Sequence, residues 1–86
     1  MKIVFHRNFE KQILKLRPAE REKLKLRLKI FLNDPFDSQL NNHPLKGKYA
    51  DCRSINIGGD LRAVYKYTDE NSCVFIKIGT HSELYS

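Results

Sequence analysis

The apolar residues change rhythm along the chain, and each change predicts an element. KIVFH, residues 2 to 6, is short and β-leaning, which predicts a strand. Asn8 can then cap a helix in which Phe9, Ile13 and Leu16 fall on one stripe, until Pro18 ends it. The same proline has a preset φ and no amide hydrogen to lose, so it suits the first turn of a second helix, where Glu20 and Glu22 complement the dipole. Leu24, Leu26, Leu28, Ile30 and Leu32 alternate as a half-buried strand would. Their segment KLKLRLKIFL is nevertheless read as helix, because it consists of strong helix formers with one β-branched member and follows cap signals. Leu24, Leu28, Phe31 and Leu32 then form one apolar side, and Leu26 with Ile30 a second stripe expected to contact the first helix.

Asn33, Asp34 and Pro35 stop that helix, and a polar loop carrying NNHPLKGKY runs to about residue 50. Three strands follow, at about 51 to 57, 61 to 67 and 72 to 79, joined by the hairpin connections GGD and TDEN. A two-residue Gly58-Gly59 turn would pair Ile55 with Arg62 and spoil the apolar face. A three-residue turn including Asp60 instead pairs Ile57 with Leu61, Ile55 with Ala63 and Arg53 with Tyr65. With TDEN as a four-residue loop, Leu61 meets Ile78, Ala63 meets Ile76 and Tyr65 meets Val74.

Alternation then places Asn56, Arg62 and Lys77 in a row on the other face, with Ser54 and Lys66 nearby and His81 reached past Gly79. Arg62 opposite Lys77 either splays into water or holds an anion. The same registers set Cys52 and Cys73 two strands apart, about 9.6 Å at ~4.8 Å per strand. A disulfide tolerates only about 7 Å, so both thiols are expected to stay unbridged.

Composition narrows the classes. The 86 residues fit one domain, residues 1 to 86, and 41% hydrophobic with 30% charged residues excludes a disordered tail. No apolar run approaches the ~20 residues of a membrane span, and MKIVFHRNF is interrupted too early for a signal peptide, so a cytoplasmic location without membrane contact is expected. The cysteine spacing matches no metal or redox motif, and no cofactor is expected. A net charge of +6 suits a polyanion or an acidic partner.

Lys46, Lys48, Arg53, Arg62, Lys66 and Lys77 can track phosphates, Asn56 can position one, and Tyr49 or Tyr85 can stack on a base. His43 and His81 are the groups suited to moving protons near neutral pH, whereas His6 is read as a surface residue. Together they permit metal-free cleavage of RNA, with the 2′-OH as nucleophile. A plain nucleic-acid binder is the competing reading.

The segments HPLKGKYADCRSINIGGDLRAVYKYTD and FIKIGTHSELYS resemble the RelE/ParE superfamily of type II toxins, and within it the YafQ-like messenger-RNA interferases. The resemblance implies an α+β, RelE-like fold: one small sheet of the N-terminal strand and the meander, packed on two helices. It also implies an endoribonuclease acting on mRNA in the ribosomal A site, neutralised by a cognate antitoxin. His43, Asp60 and His81 match the catalytic positions of that branch, Tyr85 its terminal aromatic, and Arg62 the phosphate-binding arginine of RelE-like members. His43 and Asp60 compete as the base, with His81 as the acid and Glu83 structural. Asn56 stands where a further histidine is usual, and asparagine cannot shuttle a proton. The rival implications are a ParE-like gyrase inhibitor without nuclease chemistry, and a catalytically silent binder of RNA or antitoxin.

Overall fold

The computed structural model describes residues 1–85. Strand β1 (Lys2–Phe5) leads through His6 into helix α1 (Arg7–Leu14), and helix α2 (Pro18–Asn33) follows. His6, not Asn8, is the cap: its Nδ1 accepts from the Asn8 backbone N–H at 3.0 Å. Pro18 opens α2 as expected, and the Glu20 carboxylate accepts from the Arg17 N–H at 2.9 Å. The leucine-alternating segment is helical throughout. A period of two on a helix must turn some side chains outward, and Leu26 is 57% and Leu32 52% exposed. Leu32 thus leaves the buried side, and Leu26 stays largely exposed instead of being covered by α1; Leu24 and Phe31 are buried, and Leu28 and Ile30 pack on the core.

The loop after α2 is more structured than its polarity suggested. It holds 3₁₀ turns at Ser38–Leu40 and Gly47–Tyr49 and a two-residue strand β2 (His43–Pro44). Strands β3 (Arg53–Gly58), β4 (Leu61–Asp69) and β5 (Ser72–Thr80) form the meander, and helix α3 (His81–Tyr85) ends the described chain. The sheet therefore has five strands rather than four, in the order β1-β5-β4-β3-β2, with β1 parallel to β5 and the other pairs antiparallel.

Three register shifts, two of them between β4 and β5, reset the expected pairing. Arg53 pairs Tyr65 and Ile55 pairs Ala63 as read, but Leu61 meets Gly58, leaving Ile57 as the extra residue and Gly59-Asp60 as the turn. Gly59 sits at φ +55°, where a side chain would be strained. On the other side Leu61 pairs Thr80, Ala63 pairs Ile78 and Tyr65 pairs Phe75, so Ile76 is the extra residue there. The expected Ile76 and Val74 pairings fail because the bulge lets the larger Phe75 take the core position, stacked on Tyr65 at 5.2 Å. Asp69 meets Ser72, which shortens the expected four-residue loop to two.

Phe9, Phe31, Tyr65 and Phe75 interlock between the helices and one sheet face. The opposite face, expected to be a polar row, is half covered: Cys52, Val64 and Leu84 form a second apolar cluster flanked by Leu45, Tyr49, Ile76 and Tyr85. Cys73 belongs to the helix-side core and Cys52 to this second cluster. Both are free thiols, separated by the thickness of the sheet. No described helix is long and apolar enough to cross a membrane.

Candidate active site

A cleft of about 480 Å³ opens beside the second cluster, lined by Asn41, His43, Leu45, Lys46, Arg62, His81 and Tyr85. Three parts of the chain converge there: β2 brings His43, β4 brings Arg62, and α3 brings His81 and Tyr85. Its lining contains no carboxylate among the described residues, so its formal charges are cationic.

His43 pairs with Ser54 across β2 and β3, which turns it to this face. Its Nδ1 lies 2.8 Å from the Asn41 carbonyl oxygen. A carbonyl can only accept, so neutral His43 carries its proton on Nδ1 and presents a bare lone pair at Nε2. Asn41 reaches this geometry at φ +47°, in the left-handed region that asparagine tolerates better than most residues.

His81 arrives by a different route from the one expected. The strand does not continue past Gly79 to carry it; Thr80 ends β5 and His81 begins α3. Thr80 and Glu83 bond reciprocally, Thr80 N–H to the Glu83 carboxylate at 2.7 Å and Glu83 N–H to the Thr80 hydroxyl at 3.2 Å. This capping box starts the helix and aims its first residue. The Thr80 backbone and hydroxyl bonds also hold the Glu83 carboxyl below its ordinary pKa. Gly79 leaves room for the cap: a Cβ there would stand 3.2 Å from Glu83 Oε1. One turn later Tyr85 packs edge-on against His81, ring centroids 4.8 Å apart, with Tyr49 on it at 6.2 Å.

Arg62 pairs with Asn56 and with Gly79, not with Lys77, so the expected cation repulsion does not arise. Lys77 pairs with Val64 and donates to the Tyr49 hydroxyl at 2.9 Å. Arg62 Nε, Asn56 Oδ1, Ser54 Oγ and Tyr85 OH are all buried without a hydrogen-bond partner among the described residues, and the strand pairings put the first three on this face. Those three carry a desolvation cost that an incoming polar ligand can relieve.

Among the remaining candidates, Lys46 lines the cleft, Lys48 lies 5.3 Å from the centre of the Tyr49 ring, and Lys66 pairs with Asp51 at 3.8 Å. Asp60 and Arg53 stand elsewhere. Asp60 faces the groove between the β3–β4 turn and the start of α2, beside Arg17, Glu20 and Lys23. Arg53 shares the helix-side face with Tyr65, and its Nε donates to Asn42. The Asn41 carbonyl and the Thr80–Glu83 cap were not singled out from sequence. T-x-x-E does carry a capping signature, but a five-residue helix is too short to show an apolar period. No three His, Cys, Asp or Glu side chains among the described residues are grouped to hold a metal ion.

A family model described as the bacterial toxin of the type II toxin-antitoxin system, YafQ, matches residues 1–86. The chain is similar to YafQ from Escherichia coli strain BL21(DE3), at 26% identity and a TM-score of 0.79, covering 99% of this chain and 98% of that one. It is also similar, at 25% identity, TM-score 0.78 and the same coverage, to the structure of the E. coli DinJ-YafQ complex. A YoeB/ParE toxin from Agrobacterium tumefaciens shares the fold at 22% identity and a TM-score of 0.79, over 94% of this chain and 99% of that one. No curated protein matches significantly.

Proposed function

Since the chain belongs to the YafQ family of type II toxins, within the RelE/ParE superfamily, we propose that it is a metal-independent endoribonuclease that cuts messenger RNA in the ribosomal A site. The supporting observation is a carboxylate-free cleft in which His43, with a bare Nε2, shares one lining with Arg62, Lys46 and His81. His43 Nε2 takes the proton of the ribose 2′-OH, and the 2′-oxygen attacks the adjacent phosphorus. Arg62 and Lys46 stabilise the charge that develops on the non-bridging oxygens. His81 donates a proton to the departing 5′-oxygen, leaving a 2′,3′-cyclic phosphate and a 5′-hydroxyl. DNA, lacking the 2′-OH, is spared.

His43 rather than Asp60 is taken as the base, because Asp60 faces a different groove. Tyr85 orients His81 through its ring, and Asn56 lies beside Arg62 without a proton-transfer role. Lys48, Lys66 and Lys77 rim the same face and guide the RNA backbone. The site of action is the cytoplasm, on translating ribosomes. A cognate antitoxin neutralises the toxin, as the DinJ-YafQ complex of the E. coli relative supports.

Mapping message ends in cells expressing the protein, with and without active translation, tests this reading. New 5′ ends that appear only during translation, and vanish in His43→Ala and His81→Ala but persist in Asp60→Ala, are expected. Each histidine variant should lose about 10²–10⁴ in rate. Intact messages with blocked gyrase supercoiling would reassign the protein to gyrase inhibition, and intact messages with no growth arrest to a silent binder.

A further inference from the structure

A two-residue strand is too short to hold a catalytic side chain by itself, and β2 consists only of His43 and Pro44. The residue before it does more. The Asn42 side chain crosses to the helix side of the sheet, where Nδ2 donates to the Pro35 carbonyl at 2.8 Å and to the Tyr65 hydroxyl at 2.6 Å. Its Oδ1 accepts from Arg53 Nε at 2.7 Å. Both amide hydrogens and the carbonyl oxygen are thus engaged. The flipped amide would set its NH₂ against the Arg53 donor and its oxygen against the Pro35 carbonyl, so only one orientation satisfies all three partners.

Those partners are themselves fixed. Tyr65 is fully buried, with its ring 4.9 Å from Phe31 and 5.2 Å from Phe75. Burial pushes its phenol well above the ordinary pKa, so its oxygen remains a hydroxyl. The Arg53 guanidinium lies 5.1 Å from the centre of the Phe36 ring. Asn42 therefore ties the start of β2 to β3, to β4 and to the turn after α2, all from behind the sheet.

We infer that Asn42 is a positioning residue for His43, with Arg53 and Tyr65 acting through it; this rests on the assignment of His43 as the base. Alternation along the strand sends Asn42 backward and His43 into the cleft. The anchored amide holds the 41–43 backbone where the Asn41 carbonyl meets His43 Nδ1. Without the anchor that backbone is released, the imidazole rotates, and the other tautomer presents N–H instead of a lone pair to the 2′-OH. Arg62 lies on β4, and Lys46 follows Leu45, whose own N–H donates to the Cys52 carbonyl at 3.1 Å, so substrate binding is retained.

The test pairs a tautomer measurement with kinetics. Long-range proton–nitrogen correlation on the uniformly ¹⁵N-labelled protein, at a pH where the ring is neutral, reads which His43 nitrogen is protonated, with His43→Ala assigning the signals. The native chain should have protonated Nδ1. Asn42→Ala should move both ring nitrogens toward the exchange average and lower kcat by about 10- to 100-fold on ribosomes programmed with a defined message. KM should not change. Tyr65→Phe keeps the ring packing and deletes one acceptor, so it should shift the same signals part way, and it decides the question if Asn42→Ala does not fold. A folded variant that keeps the Nδ1–H form and full kcat overturns the inference. A released tautomer with unchanged kcat would leave the anchor standing and remove His43 from the role of base.

Discussion

Tyr85 separates what a ring contributes from what a hydroxyl contributes, because the structure places the two in opposite situations. The ring packs edge-on against His81 at 4.8 Å and Tyr49 at 6.2 Å, while the hydroxyl is buried with no hydrogen-bond partner among the described residues. An unpartnered buried hydroxyl costs about 1–3 kcal/mol, and each aromatic contact contributes about 0.5–1.5 kcal/mol. Tyr85→Phe removes only the cost, so the fold should gain about 1–3 kcal/mol; Tyr85→Ala removes the same cost together with both contacts, so relative to Tyr85→Phe it should lose about 1–3 kcal/mol from the contacts alone. In a domain of this size about 1 kcal/mol moves the melting temperature by about 4–8 °C. Tyr85→Phe should therefore melt at least about 4 °C above the native protein, and Tyr85→Ala at least about 4 °C below Tyr85→Phe. In single-turnover cleavage on programmed ribosomes, Tyr85→Phe should keep the native rate, because the ring still holds His81. Tyr85→Ala should lose about 10- to 100-fold. Calorimetry and cleavage would be read on the same preparations. A Tyr85→Phe protein that melts lower, or that loses as much activity as Tyr85→Ala, would refute the reasoning by showing that the hydroxyl is engaged.

Acid should loosen the start of α3, because the folded Glu83 carboxyl lies below its ordinary pKa. Its capping contribution is fully present above the unfolded carboxyl value and disappears as pH falls through the depressed folded one. The Thr80 and Glu83 amide resonances should titrate together in that window, and in Glu83→Gln this titration should be absent. Phe31→Ala should cost about 3–5 kcal/mol, since the ring is fully buried against Tyr65 and Phe75. For 86 residues, total stability is on the order of 4–13 kcal/mol, so urea unfolding of this variant should begin at very low concentration. Burial pushes the Cys73 thiol up to about 11 and also raises Cys52. Both should react slowly with a disulfide reagent at neutral pH in the native protein and rapidly once it is unfolded.

Much of the architecture was legible from local signals. Pro18 with Glu20 marked the start of α2, and helix formers outweighed the misleading alternation of its leucines. Ile55 opposite Ala63 and Arg53 opposite Tyr65 followed from the demand for one apolar face. The β4–β5 register did not, because the turn is two residues shorter than read and extra residues at Thr68 and Ile76 shift the pairing, and alternation counts residues without seeing bulges. Arg53 was misread from its charge, not from its register. Its charge suggested RNA, but its strand position turns it behind the sheet, where it holds Asn42. Asp60 was named by motif, and the hairpin turns it toward α2 instead.

The sequence by itself determined the order of β1, α1, α2 and the meander, the family, and the presence of His43, His81 and Arg62, because propensity, cap residues and motif identity are all local properties of the chain. The tertiary structure alone decided which of those groups share a cleft. Convergence of β2, β4 and α3 depends on strand register, on a bulge and on a five-residue helix resting on an apolar patch. Each of these is settled by packing between residues far apart in the chain, which no local pattern encodes.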